Sequence, residues 1–215
     1  MVAHPMARIA IADDHAIVRK GLRQIIADTN DLVVAGEASN ADELLTLLRT
    51  HPFDLVVLDL SLGDRSGLEV LKHIKSEFPR LRVLVLSMHH ESVYAARVLQ
   101  AGASGYIQKG SAPEELIRSI RRILGGGMYV SEEMSEQLAT DMARGGKPRL
   151  PHDELSDREF EIFLLLGSGK TVSDIASQLN LSIKTVSTHR TRILSKTGFS
   201  SNEDIVRYVT AHQLS

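Results

Sequence analysis

The chain has 215 residues, 43% of them hydrophobic, and a formal net charge of −2; it can form one large domain or two small ones, and its bulk charge does not indicate a nucleic-acid partner. It contains no cysteine, which excludes disulfides and thiolate metal sites. Because no apolar stretch approaches membrane-spanning length and the N-terminal segment lacks the apolar core of a signal peptide, we expect a soluble cytoplasmic protein with no membrane partner.

In the first half of the chain, short runs rich in β-branched residues alternate with amphipathic segments of helical period. Alternation of five such runs with five such segments predicts an α/β fold with a doubly wound parallel sheet. The runs are Arg8–Ala12, Leu32–Glu37, Asp54–Leu60, Arg82–Ser87 and Gly105–Ile107, and the helical segments lie near His15–Asp28, Asn40–Arg49, Ser66–Glu77, Glu91–Ala101 and Ala112–Leu124.

A linker follows this alternating region. The pattern breaks at Gly125-Gly126-Gly127, and a short helical stretch, Ser131–Ala143, leads to Arg144-Gly145-Gly146-Lys147-Pro148. Glycine, proline and charge together are typical of a linker. Strand-forming runs then give way to four short helical segments with polar starts. We therefore predict one domain at residues 7–125, a linker with a short helix at 126–149, and an all-α domain at 150–215.

Polar residues with related chemistry follow four of the predicted strands. Asp13 and Asp14 follow the first strand, Asp59 ends the third, Ser87 ends the fourth and Lys109 follows the fifth. Each alone has an ordinary explanation as a loop, cap or surface residue. The carboxyl ends of parallel strands form one ligand crevice, however, and crowded carboxylates there are typical of a site for Mg²⁺. A carboxylate beside such an ion is a plausible nucleophile toward phosphorus.

Residues 8–125 resemble the receiver domain of a two-component response regulator. The resemblance implies a flavodoxin-like sheet of five strands in the order 2-1-3-4-5, and it implies that Asp59 accepts a phosphoryl group from a sensor histidine kinase. The motifs that carry it are Ile11-Ala12-Asp13-Asp14-His15, Leu58-Asp59-Leu60, Gly67-Leu68-Glu69, Leu86-Ser87 and Gly102-Ala103-Ser104-Gly105-Tyr106-Ile107-Gln108-Lys109.

The same resemblance implies a role for the residues around Asp59. Ser87 would reach a phosphoryl oxygen, Tyr106 would turn inward in response, and Lys109 would pair with the phosphoryl charge. From the sequence alone, a half-buried Tyr106 with its hydroxyl in water is an equal alternative. The implied ligands of Mg²⁺ are Asp13, Asp14, Asp59 and the backbone carbonyl of Ser61.

The loop after Asp59 departs from the family pattern. Many receiver domains have Met-Pro there, whereas this chain has Ser61-Leu62-Gly63-Asp64, which loosens the loop and adds a negative charge at Asp64. A backbone carbonyl serves as the metal ligand, so Ser61 does not forbid binding. Ser61 and His89 occupy positions that resemble those tuning the lifetime of the phosphoryl group.

Thr171–Lys196 has the spacing of a helix-turn-helix motif, with the turn at Leu179–Ser182. Asn180 tolerates the left-handed conformation that a helix end often needs. Ser156, Thr171 and Ser182 are placed to cap three helices. The residues expected to face inward are Ile175, Leu179, Leu181 and Val186, with small Ala176 permitting a close helix crossing.

The helix-turn-helix segment is basic although the chain is nearly neutral. Between Leu165 and Asn202 a single acid, Asp174, accompanies five basic residues: Lys170, Lys184, Arg190, Arg192 and Lys196. A basic helix in the major groove neutralises phosphates and presents side chains to base edges. A solvated surface helix remains the alternative, because basic residues are equally acceptable there.

Residues 150–214 resemble a LuxR/NarL-type DNA-binding domain through Leu155–Glu161, Gly169–Ala176 and Leu181–His189. The resemblance implies binding of double-stranded DNA, with Glu203–His212 as a dimerisation helix and a homodimer formed on phosphorylation or DNA binding. The family often has lysine at the position of Ser187, so base preference is not carried over. The implied groove-facing residues are Ser187, Thr188 and Thr191, and those implied near phosphates are Lys184, His189, Arg190 and Arg192.

The leading hypothesis is a transcription factor switched by phosphorylation, which modifies itself and does not turn over a substrate. A Mg²⁺-dependent phosphatase or phosphotransferase is the rival class; such enzymes commonly place an acid/base carboxylate two residues after the aspartyl nucleophile, where this chain has Ser61. A third class is an adaptor whose C-terminal helices contact protein.

Overall fold

The computed structural model describes residues 6–62, 65–88, 91–132, 134–136, 140, 150–212 and 214, without the side chains of Arg65 and Ser92. The chain divides into two compact units, Met1–Ser135 and Glu136–Ser215, and this division falls inside the predicted linker. The predicted domain bounds stay predictions, and most of the predicted linker helix, Ser131–Ala143, lies outside the described residues. In the described part of the chain, no helix has the length and apolarity needed to cross a bilayer.

The first unit has the predicted alternation of strands and helices, and each predicted end lies within one residue of the observed one. Its elements are β1 (Ala7–Ala12), α1 (Ala16–Ala27), β2 (Leu32–Ala38), α2 (Ala41–Thr50), β3 (Leu55–Asp59), β4 (Ser61–Leu62), β5 (Arg65–Ser66), α3 (Gly67–Glu77), β6 (Arg82–Ser87), α4 (Glu91–Gln100), β7 (Gly105–Gln108) and α5 (Pro113–Leu124).

The main sheet has five parallel strands in the order β2-β1-β3-β6-β7. This confirms the predicted order 2-1-3-4-5, since β4 and β5 form a separate antiparallel pair. Every residue of the central strand β3 is buried, which explains its unbroken apolar run. Because all five strands run the same way, their carboxyl ends meet at one edge of the sheet.

The segment after α5 runs beside the outer edge of β7. The backbone N–H of Tyr106 donates to the carbonyl of Tyr129 at 2.9 Å, and the N–H of Tyr129 donates to the carbonyl of Ser104 at 3.0 Å. Glycine is needed at position 105, since a Cβ there would lie 2.6 Å from the Tyr129 carbonyl oxygen. The segment therefore satisfies backbone groups that an open sheet edge leaves unpaired.

The second unit is helical, as predicted. A 3₁₀ turn at Pro151–Glu154 precedes α6 (Asp157–Gly167), α7 (Val172–Gln178), α8 (Ile183–Thr197) and α9 (Asn202–Ala211). The predicted caps are confirmed, because the side chains of Ser156, Thr171 and Ser182 each accept the backbone N–H three residues on.

Helix α6 forms the centre of this unit. Phe160 and Phe163 on α6 are almost completely buried. A Cβ at Gly167 would lie 2.4 Å from Val209, so the glycine allows α6 and α9 to approach closely. Aromatic rings from other elements, including His152 and Tyr208, pack against the two phenylalanines.

The turn between α7 and α8 has the predicted left-handed residue, since Asn180 has φ of 52°. The N–H of Leu181 donates to the carbonyl of Ala176 at 2.8 Å, which closes the turn. Ile175, Leu179 and Val186 are buried as expected. Leu181 is only partly buried, so its predicted inward placement is incomplete.

Candidate functional site

Loops at the carboxyl edge of the sheet hold the predicted acidic residues together. Asp13 and Asp14 follow β1, Asp59 is the last residue of β3, and Ser87 is the last residue of β6. Lys109 directly follows β7, and its backbone N–H donates to the Ser87 carbonyl at 2.6 Å. Parallel pairing of these strands therefore brings polar side chains from four distant parts of the sequence into one crevice.

Asp59 is a buried carboxylate with two donors. Its side chain is 1% exposed, Oδ1 accepts the N–H of Ser61 at 3.1 Å and Oδ2 accepts Nζ of Lys109 at 2.7 Å. Burial raises the pKa of the Asp59 carboxyl above its ordinary value, and the bond and charge of Lys109 oppose that rise. The two donors fix the direction in which the carboxylate faces.

Lys109 bridges two carboxylates. Its Nζ lies 2.8 Å from Oδ2 of Asp13 as well as 2.7 Å from Oδ2 of Asp59. Burial alone lowers the pKa of the ammonium group, but the contacts with Asp13 and Asp59 outweigh burial and hold the pKa above its ordinary value. The pocket therefore contains a permanent positive charge beside Asp59.

Asp13 and Asp14 differ in exposure. Asp13 is 1% exposed, and its Oδ1 accepts the N–H of His15 at 2.8 Å. Asp14 is exposed, and Nδ1 of His15 lies 2.5 Å from its Oδ1. Arg19, which the sequence analysis did not single out, donates to the Asp13 carbonyl at 2.6 Å and holds the first turn of α1 to this loop.

The donor set fits a hard divalent cation. Asp13, Asp14, His15 and Asp59 each offer one ligand atom, and these atoms lie within 4.8 Å of one another. Oδ2 of Asp13 is enclosed and accepts no hydrogen bond of good geometry from the described residues, although the Lys109 ammonium lies nearby. Carboxylate oxygens and a backbone carbonyl are the ligands that Mg²⁺ prefers in proteins.

The loop after Asp59 is shaped by a close backbone contact. The N–H of Gly67 donates to the carbonyl of Leu60 at 2.9 Å, and a Cβ at Gly67 would lie 2.3 Å from Leu60 Cα. Ser61 pairs with Ser66 in the short β4–β5 ladder. Two residues given roles in the sequence analysis, Asp64 and His89, lie outside the described residues.

Ser87 and Tyr106 are both completely buried beside the pocket. Burial raises the pKa of the Tyr106 phenol far above its ordinary value, and a hydrogen bond with Ser87 opposes this. The alternative of a half-buried Tyr106 with its hydroxyl in water is therefore wrong for this structure. The ring already lies inside the domain, and its role as a moving switch stays a prediction.

Helix α8 presents a continuous polar face. The exposed residues follow a spacing of three and four, which places them on one side of the helix. The hydroxyls of Thr188 and Thr191 donate to the helix carbonyls of Lys184 and Ser187 at 2.9 and 3.1 Å, so their lone pairs and methyl groups remain for a partner. The predicted DNA-contact residues on this face are Lys184, Ser187, Thr188, Thr191 and Arg192.

Two other basic residues of the predicted DNA-binding segment are paired with groups of their own domain. Nε of Arg190 donates to Asn202 at 2.7 Å, and Nζ of Lys196 lies 2.6 Å from Oε2 of Glu159. His189 is partly buried, whereas Lys184 and the two threonines are exposed. The charge count from the sequence therefore overstates the basic face.

Comparisons with known proteins match the two units of the chain to two different families. Residues 9–121 match the family described as the response regulator receiver domain. Residues 153–209 match the family described as bacterial regulatory proteins of the luxR family.

Two relatives match nearly the whole chain. The chain is 34% identical over 209 residues to the response regulator UvrY of Escherichia coli K12, covering 97% of this chain and 96% of UvrY. It is 33% identical over 207 residues to the response regulator GacA of Pseudomonas aeruginosa, covering 96% and 97%. A solved structure of RcsB from Salmonella enterica serovar Typhimurium, bound to promoter rprA in the presence of the phosphomimetic BeF₃⁻, aligns with a TM-score of 0.65, 28% identity and coverage of 95% and 98%.

Proposed function

The chain belongs to the two-component response regulators that join a receiver domain to a LuxR-type DNA-binding domain, and we propose that phosphorylation of Asp59 by a histidine kinase controls its binding to double-stranded DNA. The observation that carries this proposal is the buried Asp59 carboxylate held at 2.7 Å by the Lys109 ammonium. A charged group is costly to bury, so its retention at the ligand-binding edge of the sheet favours a chemical role.

In the proposed transfer, an Asp59 oxygen attacks the phosphorus of a phosphohistidine on the kinase. The new bond joins phosphorus to Asp59, the bond from phosphorus to the imidazole nitrogen breaks, and the imidazole leaves with the bonding pair. Lys109 is close enough to follow the negative charge onto the phosphoryl oxygens. Ser87 at the end of β6 supplies a hydroxyl that can donate to one of them.

The residues at the pocket fit Mg²⁺, with Asp13, Asp14, Asp59 and the Ser61 carbonyl as ligands. The support is the donor set, because the ligand atoms of Asp13, Asp14 and Asp59 lie within 4.8 Å of one another. When bound, the ion supplies positive charge against the carboxylates and the incoming phosphoryl group. Asp13 is oriented for this by the N–H of His15, and Asp59 by the N–H of Ser61.

The path from Asp59 to the rest of the receiver domain runs through β6 and β7. A phosphoryl group would compete with Tyr106 for the Ser87 hydroxyl, because these two buried side chains are hydrogen-bonded. The backbone N–H of Tyr106 in turn donates to the carbonyl of Tyr129, which lies near the start of the predicted linker. A change in the hydrogen bonding of Ser87 would therefore reach Tyr129 through Tyr106 alone.

We infer that the exposed face of α8 enters the major groove of DNA, with Lys184 and Arg192 near phosphates and Ser187, Thr188 and Thr191 toward base edges. The basic and hydroxyl side chains on one face support this. The similar structure of RcsB, which is bound to a promoter in the presence of a phosphomimetic, supports DNA as the partner. We propose that the protein forms a homodimer with α9 at its interface, which would bind two half-sites on DNA. Because its target would be genomic DNA, we propose that the protein acts in the cytoplasm.

The rival hypothesis of an enzyme and our proposal predict different numbers of phosphoryl groups transferred per chain. With acetyl phosphate and Mg²⁺, the proposal predicts at most one phosphoryl group per chain, located on the peptide that contains Asp59. Intact-mass and peptide mass spectrometry measure both quantities. Label on another residue, or sustained turnover of unrelated phosphoesters, would contradict the proposal, and the latter would favour the phosphatase class.

A further inference from the structure

Helix α8 begins with an exposed isoleucine. The side chain of Ile183 is 58% exposed, and among the described residues of the second unit it is the only large hydrophobic side chain that is exposed. A single exposed hydrophobic residue is common at protein surfaces. Its meaning therefore depends on what lies beside it on the helix.

Ile183 extends a row of residues on the helix face that we propose for the major groove. Ile183 and Ser187 are four residues apart, as are Ser187 and Thr191, and all three are exposed. Residues at this spacing are neighbours on a helix surface. Ile183 thus lies one turn closer to the N-terminus of α8, the end at which recognition helices contact base edges.

The polar groups at the start of α8 are already used by the helix cap. Oγ of Ser182 accepts the N–H of Thr185 at 3.0 Å, and the hydroxyl oxygens of the two residues are 2.7 Å apart. An isoleucine in a helix has one strongly preferred χ1 rotamer. The first turn therefore presents a well-ordered apolar surface at Ile183, beside the charge of Lys184.

The remaining side chains of α8 offer little discrimination between bases. The helix contains no asparagine or glutamine, which pair with adenine, and no acidic residue, which accepts from cytosine. The hydroxyls of serine and threonine pair with several bases. The major groove also displays the C5-methyl group of thymine, which apolar side chains contact. An exposed isoleucine is suited to that contact.

From these observations we infer that Ile183 is a specificity-determining residue that packs against the C5-methyl group of a thymine in each half-site. The inference rests on the proposed placement of α8 in the major groove and adds the chemistry by which one base is selected. One helical turn advances about 5.4 Å and one base step about 3.4 Å, so this thymine lies within about two base pairs of the base that contacts Ser187.

Replacement of thymine by uracil tests this, because the two bases differ only in the C5-methyl group. Each thymine of a duplex selected by footprinting on random DNA is replaced in turn, and fluorescence anisotropy gives the affinity of the full chain with and without acetyl phosphate and Mg²⁺. In the unaltered protein, replacement of one thymine in each half-site is expected to weaken binding by about four-fold, the effect of one buried methyl group. Ile183→Ala is expected to bind the thymine duplex more weakly and to lose this sensitivity at the same position.

Two control variants separate this effect from a general loss of affinity. Ile17→Ala removes an isoleucine that is 82% exposed on α1 of the first unit, and Lys184→Ala removes the charge next to Ile183. Both variants are expected to keep the ratio of thymine to uracil affinities, whatever their absolute affinities.

The inference and the proposed function fail in different ways. A uracil penalty that is absent at every thymine, that persists unchanged in Ile183→Ala, or that also disappears in Ile17→Ala overturns the role of Ile183, although the protein still binds DNA. If the full chain shows no salt-dependent binding to DNA with or without acetyl phosphate, the proposed placement of α8 is wrong, and the Ile183 inference with it.

Discussion

The ammonium nitrogen of Lys109 lies 2.7 Å from Oδ2 of Asp59, and the same nitrogen lies 2.8 Å from Oδ2 of Asp13. One cation therefore compensates two buried carboxylates that would otherwise repel each other. The lysine reaches them because its backbone is bonded to Ser87 at the end of the neighbouring strand. This arrangement ties the stability of the receiver domain to the chemistry of its pocket.

Replacing Lys109 with methionine should lower the free energy of unfolding of the receiver domain by about 3 kcal/mol at neutral pH, because two buried carboxylates lose their counter-charge. Adding Asp59→Asn to the same chain should recover part of this loss. Urea unfolding followed by circular dichroism measures the effect. Lys72→Met, at an exposed position of α3, is the control; equal losses in the two variants would contradict the expectation.

Gly67→Ala should disturb the loop that carries Ser61 and slow phosphorylation of Asp59 by acetyl phosphate by roughly ten-fold. The new Cβ would lie 2.3 Å from Cα of Leu60. Leu60 directly follows Asp59, so relief of this clash would shift the backbone beside the phosphoacceptor. Gly21→Ala is the matched control, since a Cβ there meets nothing within 4 Å and should stabilise α1 by about 0.5 to 1 kcal/mol. A normal labelling rate in Gly67→Ala would show that the close contact is not needed.

Lys184→Ala and Lys196→Ala should behave differently although both remove one positive charge from α8. Lys184 is exposed on the predicted DNA face, so its loss should weaken binding to all sequences and reduce the salt slope of binding by about 1. Lys196 pairs with Glu159 at 2.6 Å, so its loss should leave the slope unchanged. Fluorescence anisotropy with labelled duplex DNA over a salt series measures the slopes; identical slopes would contradict this placement of the two lysines.

Glu159→Gln should lower the stability of the C-terminal domain at pH 7 by about 0.5 to 1 kcal/mol, a small value because Lys196 is partly exposed. Burial alone raises the pKa of Glu159, but Lys196 and Ser156 outweigh it and hold that pKa below its ordinary value. The unfolded chain therefore binds the proton more readily, and the stabilisation is present above about pH 4.3 and is lost as the pH falls through the folded-state pKa.

Glutamine keeps the capping geometry at this position, so the comparison isolates the charge. Urea unfolding at pH 7 and at pH 3, followed through amide resonances of α6 and α8, should show a difference that disappears at the lower pH. A difference that is equally large at both values would refute the electrostatic explanation.

Much of the fold follows from local sequence pattern. The apolar β-branched runs, the polar caps at Ser156, Thr171 and Ser182, and the left-handed Asn180 are all properties of a few neighbouring residues, and the structure confirms them. The gathering of Asp13, Asp59 and Lys109 also follows, because parallel strands must end at the same edge.

Contacts between distant segments were not predictable from pattern. Arg158 and Glu159 stand in a charged cap sequence typical of a solvated helix start, yet both are buried. Arg158 donates to Glu161 at 2.6 Å and to the carbonyl of Leu179 at 3.2 Å, so it supports the turn of the helix-turn-helix. The strand-like pairing of Tyr129 with β7 depends on the path of the chain after α5, which three successive glycines leave open.

If the phosphoryl group on Asp59 controls DNA binding, the DNA affinity of the protein must differ with and without acetyl phosphate and Mg²⁺. Footprinting on random DNA first supplies a specific duplex, and anisotropy then gives the affinity of the unaltered chain and of Asp59→Asn. We expect tighter binding after phosphorylation of the unaltered chain and no response in Asp59→Asn. Equal responses in the two proteins, or no response in a chain shown to carry the phosphoryl group on Asp59, would contradict it.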